Sequence, residues 1–131
     1  MLRDSPVQVM LPVKDLETAK AFYERKLELE KVAEEMGTAV YRSGGSTLCV
    51  YPSQFAGTNK GTAALWAVED VEKTVEALKA KGVTFEHYDD LPVLTRTGDI
   101  HRGAGIVVAW FKDPDGNILS VQNLPENRDK K

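Results

Sequence analysis

Val13-Lys14-Asp15-Leu16 and Val68-Glu69-Asp70-Val71 overlay with an offset of 55 residues, and each opens the same run of elements. In both, an apolar residue closes an alternating stretch, an Asp stands where a helix N-cap is needed, and an apolar residue begins a helix face. Outward from the first, Val7, Val9, Leu11 and Val13 share one face of a strand, and Leu16, Ala19, Phe22 and Tyr23 share one face of a helix predicted over about Leu16 to Lys26. Thr38–Arg42 and Thr47–Tyr51 flank Ser43-Gly44-Gly45-Ser46 and read as a hairpin, with the glycines free to take positive φ.

From the second stretch, Ala63–Val68 is a strand, and Val71, Val75, Leu78 and Lys79 mark a helix that stops at Gly82. Val83–Tyr88 is a further strand, followed by a polar loop from Asp89 to about Gly105, a strand Ile106–Phe111, a turn at Asp113-Pro114-Asp115-Gly116 and a strand Asn117–Gln122. Leu48-Cys49-Val50 overlays Leu119-Ser120-Val121 with an offset of 71, so the second half carries about 16 extra residues, most of them before Ile106. The chain therefore reads as α+β, one domain built from two β-α-β-β-β modules at about 6–52 and 62–123, with a polar tail at 124–131 that is expected to fray.

Composition agrees with this. The chain has 131 residues, 42% hydrophobic, which suffices for one self-supporting core. One cysteine, Cys49, allows no internal disulfide, and no apolar run suits a membrane span or a signal segment, so a cytoplasmic protein is expected. A net charge of −3 with interspersed signs supplies no basic stripe, which argues against nucleic acid as a partner.

Val13-x-Asp15-Leu16 with Ala21-Phe22-Tyr23, and Phe111-Lys112-Asp113-Pro114-Asp115-Gly116-Asn117, resemble in order and separation the vicinal oxygen chelate superfamily of glyoxalase I, extradiol dioxygenases and bleomycin-resistance proteins. The resemblance implies two modules curling a mixed sheet around a cup, commonly in a homodimer. In the metal-using branch, four side chains, usually His and Glu, project from the first and last strands of each module. Those places look like Gln8, Cys49, Ala63 and Ser120 here, an amide, a thiol, a methyl and a hydroxyl, so the resemblance leads to no metal and no cofactor. A one-residue shift brings in Val7, Val9, Leu48, Val50, Thr62, Ala64, Leu119 and Val121, which is no better.

His87 and His101 flank the extra loop near Glu86, Asp89, Asp90 and Asp99, and could make a displaced metal site or a base; solvated polar residues around a loop are the plainer reading. Cys49 lacks a sequence neighbour that would generate thiolate, and reads as a wall residue. Asp113 to Asn117 lacks an EF-hand's length and reads as a tight turn, and neither Gly44-Gly45 nor Gly103-x-Gly105 leads into a helix as a phosphate cradle would.

In the family register the cup wall is Gln8, Met10, Cys49, Tyr51, Leu65 and Ser120, with Trp110 or Phe111 from the strand before the last turn. This lining suits an uncharged or aromatic small molecule, although a filled core would show the same stripe. The expected function is metal-independent binding or sequestration of such a molecule, with no catalytic residues, with the loop at 89–105 as a lid and Arg96, Asp99, His101 and Arg102 as its polar contacts. The alternative is a lyase, isomerase or dioxygenase with a metal held by His87, His101 and a carboxylate.

Overall fold

The computed structural model describes residues 1–124. Its elements are β1 (Val9–Val13), α1 (Leu16–Ala21), a π-helical turn (Phe22–Lys26), β2 (Glu30–Glu35), β3 (Thr38–Ser43), β4 (Ser46–Pro52), β5 (Thr62–Val68), α2 (Val71–Ala80), β6 (Phe85–Glu86), β7 (Thr95–Thr97), β8 (Ile100–Gly103), β9 (Ile106–Lys112) and β10 (Ile118–Asn123). The sheets are mixed and not closed, one ordered β1-β4-β3-β2 and the other β5-β10-β9-β8-β7, with β6 also on β9. In each sheet the first strand lies parallel to the last, which demands a crossover, and α1 and α2 provide it. The anticipated tail from 125 onward lies outside the described residues.

Both helices start where the paired motifs place them. Asp15 accepts hydrogen bonds from the Glu17 and Thr18 N–H groups, and Asp70 from that of Lys73. The expected helix to Lys26 is α-helical only to Ala21, after which Leu27 N–H donates to Phe22 C=O in a π-helical turn. Phe22 and Tyr23 both end up buried there, Phe22 tilted against Phe111 and Tyr23 against Tyr41.

The second module departs from its sequence reading. Only Phe85–Glu86 of Val83–Tyr88 pairs as a strand, and the supposed loop contains β7 and β8. The physical reason is a shared edge: β9 pairs with β6 at Phe111 and Trp110, and with β8 from Val108 to Ile106, so two short strands complete it in turn. Gly103 permits this, because a Cβ there would run into the Val93 carbonyl of the segment laid across β8.

One core spans both modules. Leu11, Val13, Phe22, Leu48 and Val50 of the first join Val71, Val75, Phe85, Phe111 and Val121 of the second. Buried Asp113 fastens them, its carboxylate accepting from the Tyr23 hydroxyl at 2.7 Å, the Asp115 and Asn117 backbone N–H groups and the Asn117 amide. That amide also donates to Pro12 C=O at 2.8 Å, and Lys14 N–H donates to Asp115 Oδ1. The Asp-Pro-Asp-Gly-Asn turn is therefore an intermodule clasp as well as a hairpin end. Val9 and Leu48 of the first module and Ala64–Ala67 of the second line a common cavity of about 490 Å³. Among the described residues no helix is long and apolar enough to cross a membrane.

Candidate functional site

Residues opposite one another in a sheet share a face, so strand register assigns the surface away from the helices. In the first sheet Met10, Cys49 and Val40 form one row, and Tyr51 lies opposite Pro12 in the next. Gln8 sits one residue before β1, and its Oε1 accepts from Cys49 Sγ at 3.6 Å. In the second sheet Leu65, Ser120, Trp110 and Glu86 form one row, and Ala67, Gln122, Val108, His101 and Arg96 the next. Ala63 falls in the slip of register between β5 and β10.

Met10 and Leu65 remain 51% and 47% exposed, so this face opens to solvent at its two leading strands. Toward the β8 edge it is closed by aromatic packing. Trp110 meets His101 edge-on at 4.9 Å and Tyr88 at 5.3 Å, and its indole N–H donates to Thr62 Oγ1 at 3.1 Å. His101 is fully buried and its Nε2 accepts from Tyr88 N–H at 3.0 Å, so the neutral ring carries its proton on Nδ1. Burial holds the imidazole below its ordinary pKa, against a weaker opposing influence of the Val108 backbone. Nδ1 and the buried Ser120 Oγ have no well-formed hydrogen bond.

The register separates the wall residues. Trp110 is on the open face, whereas Phe111 turns to the helix side, where it stacks with Trp66. Arg102 is also on the helix side and reaches Glu72 of α2 at 3.1 Å, which takes it away from His101 and the open face. The 89–105 segment is not a free lid. Arg96 forks onto Asp89 and holds Gly98 C=O, while Asp99 pairs with Lys79 and His87. The His87 and Lys79 bonds keep the Asp99 carboxyl below its usual range.

The two histidines have separate partners, His87 with Asp99 and His101 with the Tyr88 backbone. Among the described residues no three His, Cys, Asp or Glu side chains come together as a ligand set. Gln8, Cys49, Ala63 and Ser120 do not fit the divalent ion of the metal-using relatives either, since Ala63 has no donor and the only ionisable group among them is a thiol.

Against Trp110 lies a cleft of about 360 Å³ that sequence reasoning did not find, formed with Lys60, Thr62, Tyr88, Lys112 and Ile118. Alternation alone places Lys112 and Ile118 on the face of Trp110 and Ser120; Lys60 and Tyr88 arrive only through the folding of the segments before β5 and after β6. An apolar cavity of about 240 Å³ lies on the helix side between Leu27, Leu29, Trp66, Leu78 and Phe111.

Comparison with solved structures finds the same architecture. A glyoxalase family protein from Enterococcus faecalis superposes with a TM-score of 0.71 at 24% identity, covering 94% of this chain and 100% of that one. The fosfomycin resistance protein FosX from Listeria monocytogenes gives 0.70 at 16% identity, with 95% and 98% covered. Lactoylglutathione lyase from Agrobacterium tumefaciens gives 0.67 at 21%, with 92% and 95% covered. These likenesses show the fold alone. No curated protein matches the sequence. Residues 5–121 match the family described as the Glyoxalase/Bleomycin resistance protein/Dioxygenase superfamily, and with the paired modules and the open face between them, this chain belongs to that superfamily.

Proposed function

We propose that this is a cytoplasmic, metal-independent protein that binds and sequesters a small, largely apolar or aromatic molecule, and that it acts as a homodimer. The observation that carries the reading is the open face itself: Met10, Leu65 and Trp110 offer apolar surface, with Gln8 and Tyr51 available to orient a ligand, while Cys49 and Ser120 are buried in the wall. Binding there gains the transfer energy of apolar area, of order 25 cal/mol per Å², and needs no bond to break. The donor chemistry at the four family positions favours capture over metal catalysis. His101 supports the face by fixing Trp110, since its buried ring is not presented to a ligand. The dimer is supported by the two leading strands, which pair on one edge only and carry exposed Met10 and Leu65.

The test combines two measurements on protein purified without a His-tag. Elemental analysis after incubation with zinc, nickel, iron and manganese is expected to find no stoichiometric metal, and aromatic compounds are expected to shift the fluorescence of Trp110. Near-stoichiometric metal, or no response to any arene, would overturn the reading.

A further inference from the structure

The cleft against Trp110 combines a fixed aromatic corner with one sign of charge. Trp110 and Tyr88 stand at 80°, and the bond from the indole N–H to Thr62 sets the ring's orientation beside the cleft it lines. A planar ring placed there meets one aromatic side chain face-on and the other edge-on, both favourable arrangements. Two lysines lie on the rim and no carboxylate is among the lining residues. Lys60 has no ion pair among the described residues, and Lys112 has one loose pair, to Glu86 at 3.5 Å, with its side chain 46% exposed. In a chain of net charge −3 this is a local electropositive spot beside apolar surface.

We propose that the cleft takes a small planar aromatic carboxylate, its ring against Trp110 and Tyr88 and its carboxylate toward Lys60 and Lys112. This rests on the reading of the open face as a small-molecule site and narrows it from aromatic compounds in general to aromatic anions. The cleft's volume of about 360 Å³ accommodates one or two fused rings, being larger than the roughly 150 Å³ apolar cavity that holds benzene. Lysine suits a single-point contact with the anion, because its flexible stem lets the ammonium follow the carboxylate.

The probes are 2-naphthoate and its uncharged isostere 2-naphthamide, titrated into ¹⁵N-labelled protein, with the two indole N–H resonances assigned through Trp110→Phe. Naphthoate is expected to shift the Trp110 indole signal and to bind about tenfold tighter than the amide at low salt, the difference shrinking as salt rises. Lys60→Met and Lys112→Met, both at exposed positions, are expected to reduce that preference, and together to abolish it. Equal affinity for acid and amide would overturn the anion site while leaving small-molecule binding intact. Naphthoate that binds without moving Trp110, or a preference that survives the double substitution, would likewise overturn it. If neither probe nor any other arene binds, the inference and the functional reading fall together.

Discussion

The clasp shows how much one buried carboxylate can organise. Among the described residues Asp113 has no cationic partner; four donors there satisfy it, and of these the Tyr23 hydroxyl alone comes from the other module. Burial, reinforced by that carboxylate, pushes the Tyr23 phenol far above its ordinary pKa, so it stays a donor across the working range. Tyr23→Phe removes the donor and leaves part of a buried charge unsatisfied, which is expected to cost about 1–3 kcal/mol in urea unfolding; an unchanged midpoint would show that the clasp is incidental. His101 carries a pH dependence of known sign. Its folded pKa lies below the ordinary 6.5, so the folded state binds fewer protons than the unfolded, and its contribution is complete above 6.5 and lost as pH falls through the folded value. The thermal midpoint is therefore expected to drop between about pH 7 and about pH 5, and His101→Gln to flatten that slope. Parallel profiles for the two proteins would refute this.

Among the elements, the paired motifs earn their structural role directly, with Asp15 and Asp70 capping the two crossover helices. The second module's edge follows a less local rule. β6 and β8 share one side of β9, and the segment between them folds back to bury His101 and form the Tyr88 wall of the cleft. Val93 is held at φ 76°, costly for a β-branched residue, and its carbonyl abuts Gly103. A methyl at 103 must displace that segment. Gly103→Ala is expected to destabilise the fold by about 1–3 kcal/mol and to hasten proteolysis within 88–94, since the cost falls on the wall more than on the core. Cleavage at the wild-type rate would show that the wall tolerates the shift. Alternation was sufficient to say which residues along one strand share a face, because a strand's side-chain period is strict, and the family resemblance then chose Met10, Leu65 and Ser120 for the wall. It could not separate Trp110 from Phe111 without the register, nor show that Arg102 turns to Glu72.

For the whole molecule, the two modules share one core and a clasp, yet among the described residues β1 and β5 each stand at one edge of a sheet. A homodimer covering those edges is expected at micromolar concentrations, sedimenting at twice the 14.5 kDa of one chain. A monomer throughout would place the exposed Met10 and Leu65 in the ligand surface alone. What the sequence determined by itself is the duplication, the two capped helices and the alternating strands, all set by spacing and residue type. Tertiary structure alone decided which short segments complete the β9 edge, that Asp113 joins the modules, and that Lys60, Tyr88 and Lys112 meet at Trp110. The reason is physical: helix caps and strand faces depend on neighbours a few residues away, whereas a shared sheet edge, a buried carboxylate's donors and a cleft are assembled from residues tens of positions apart.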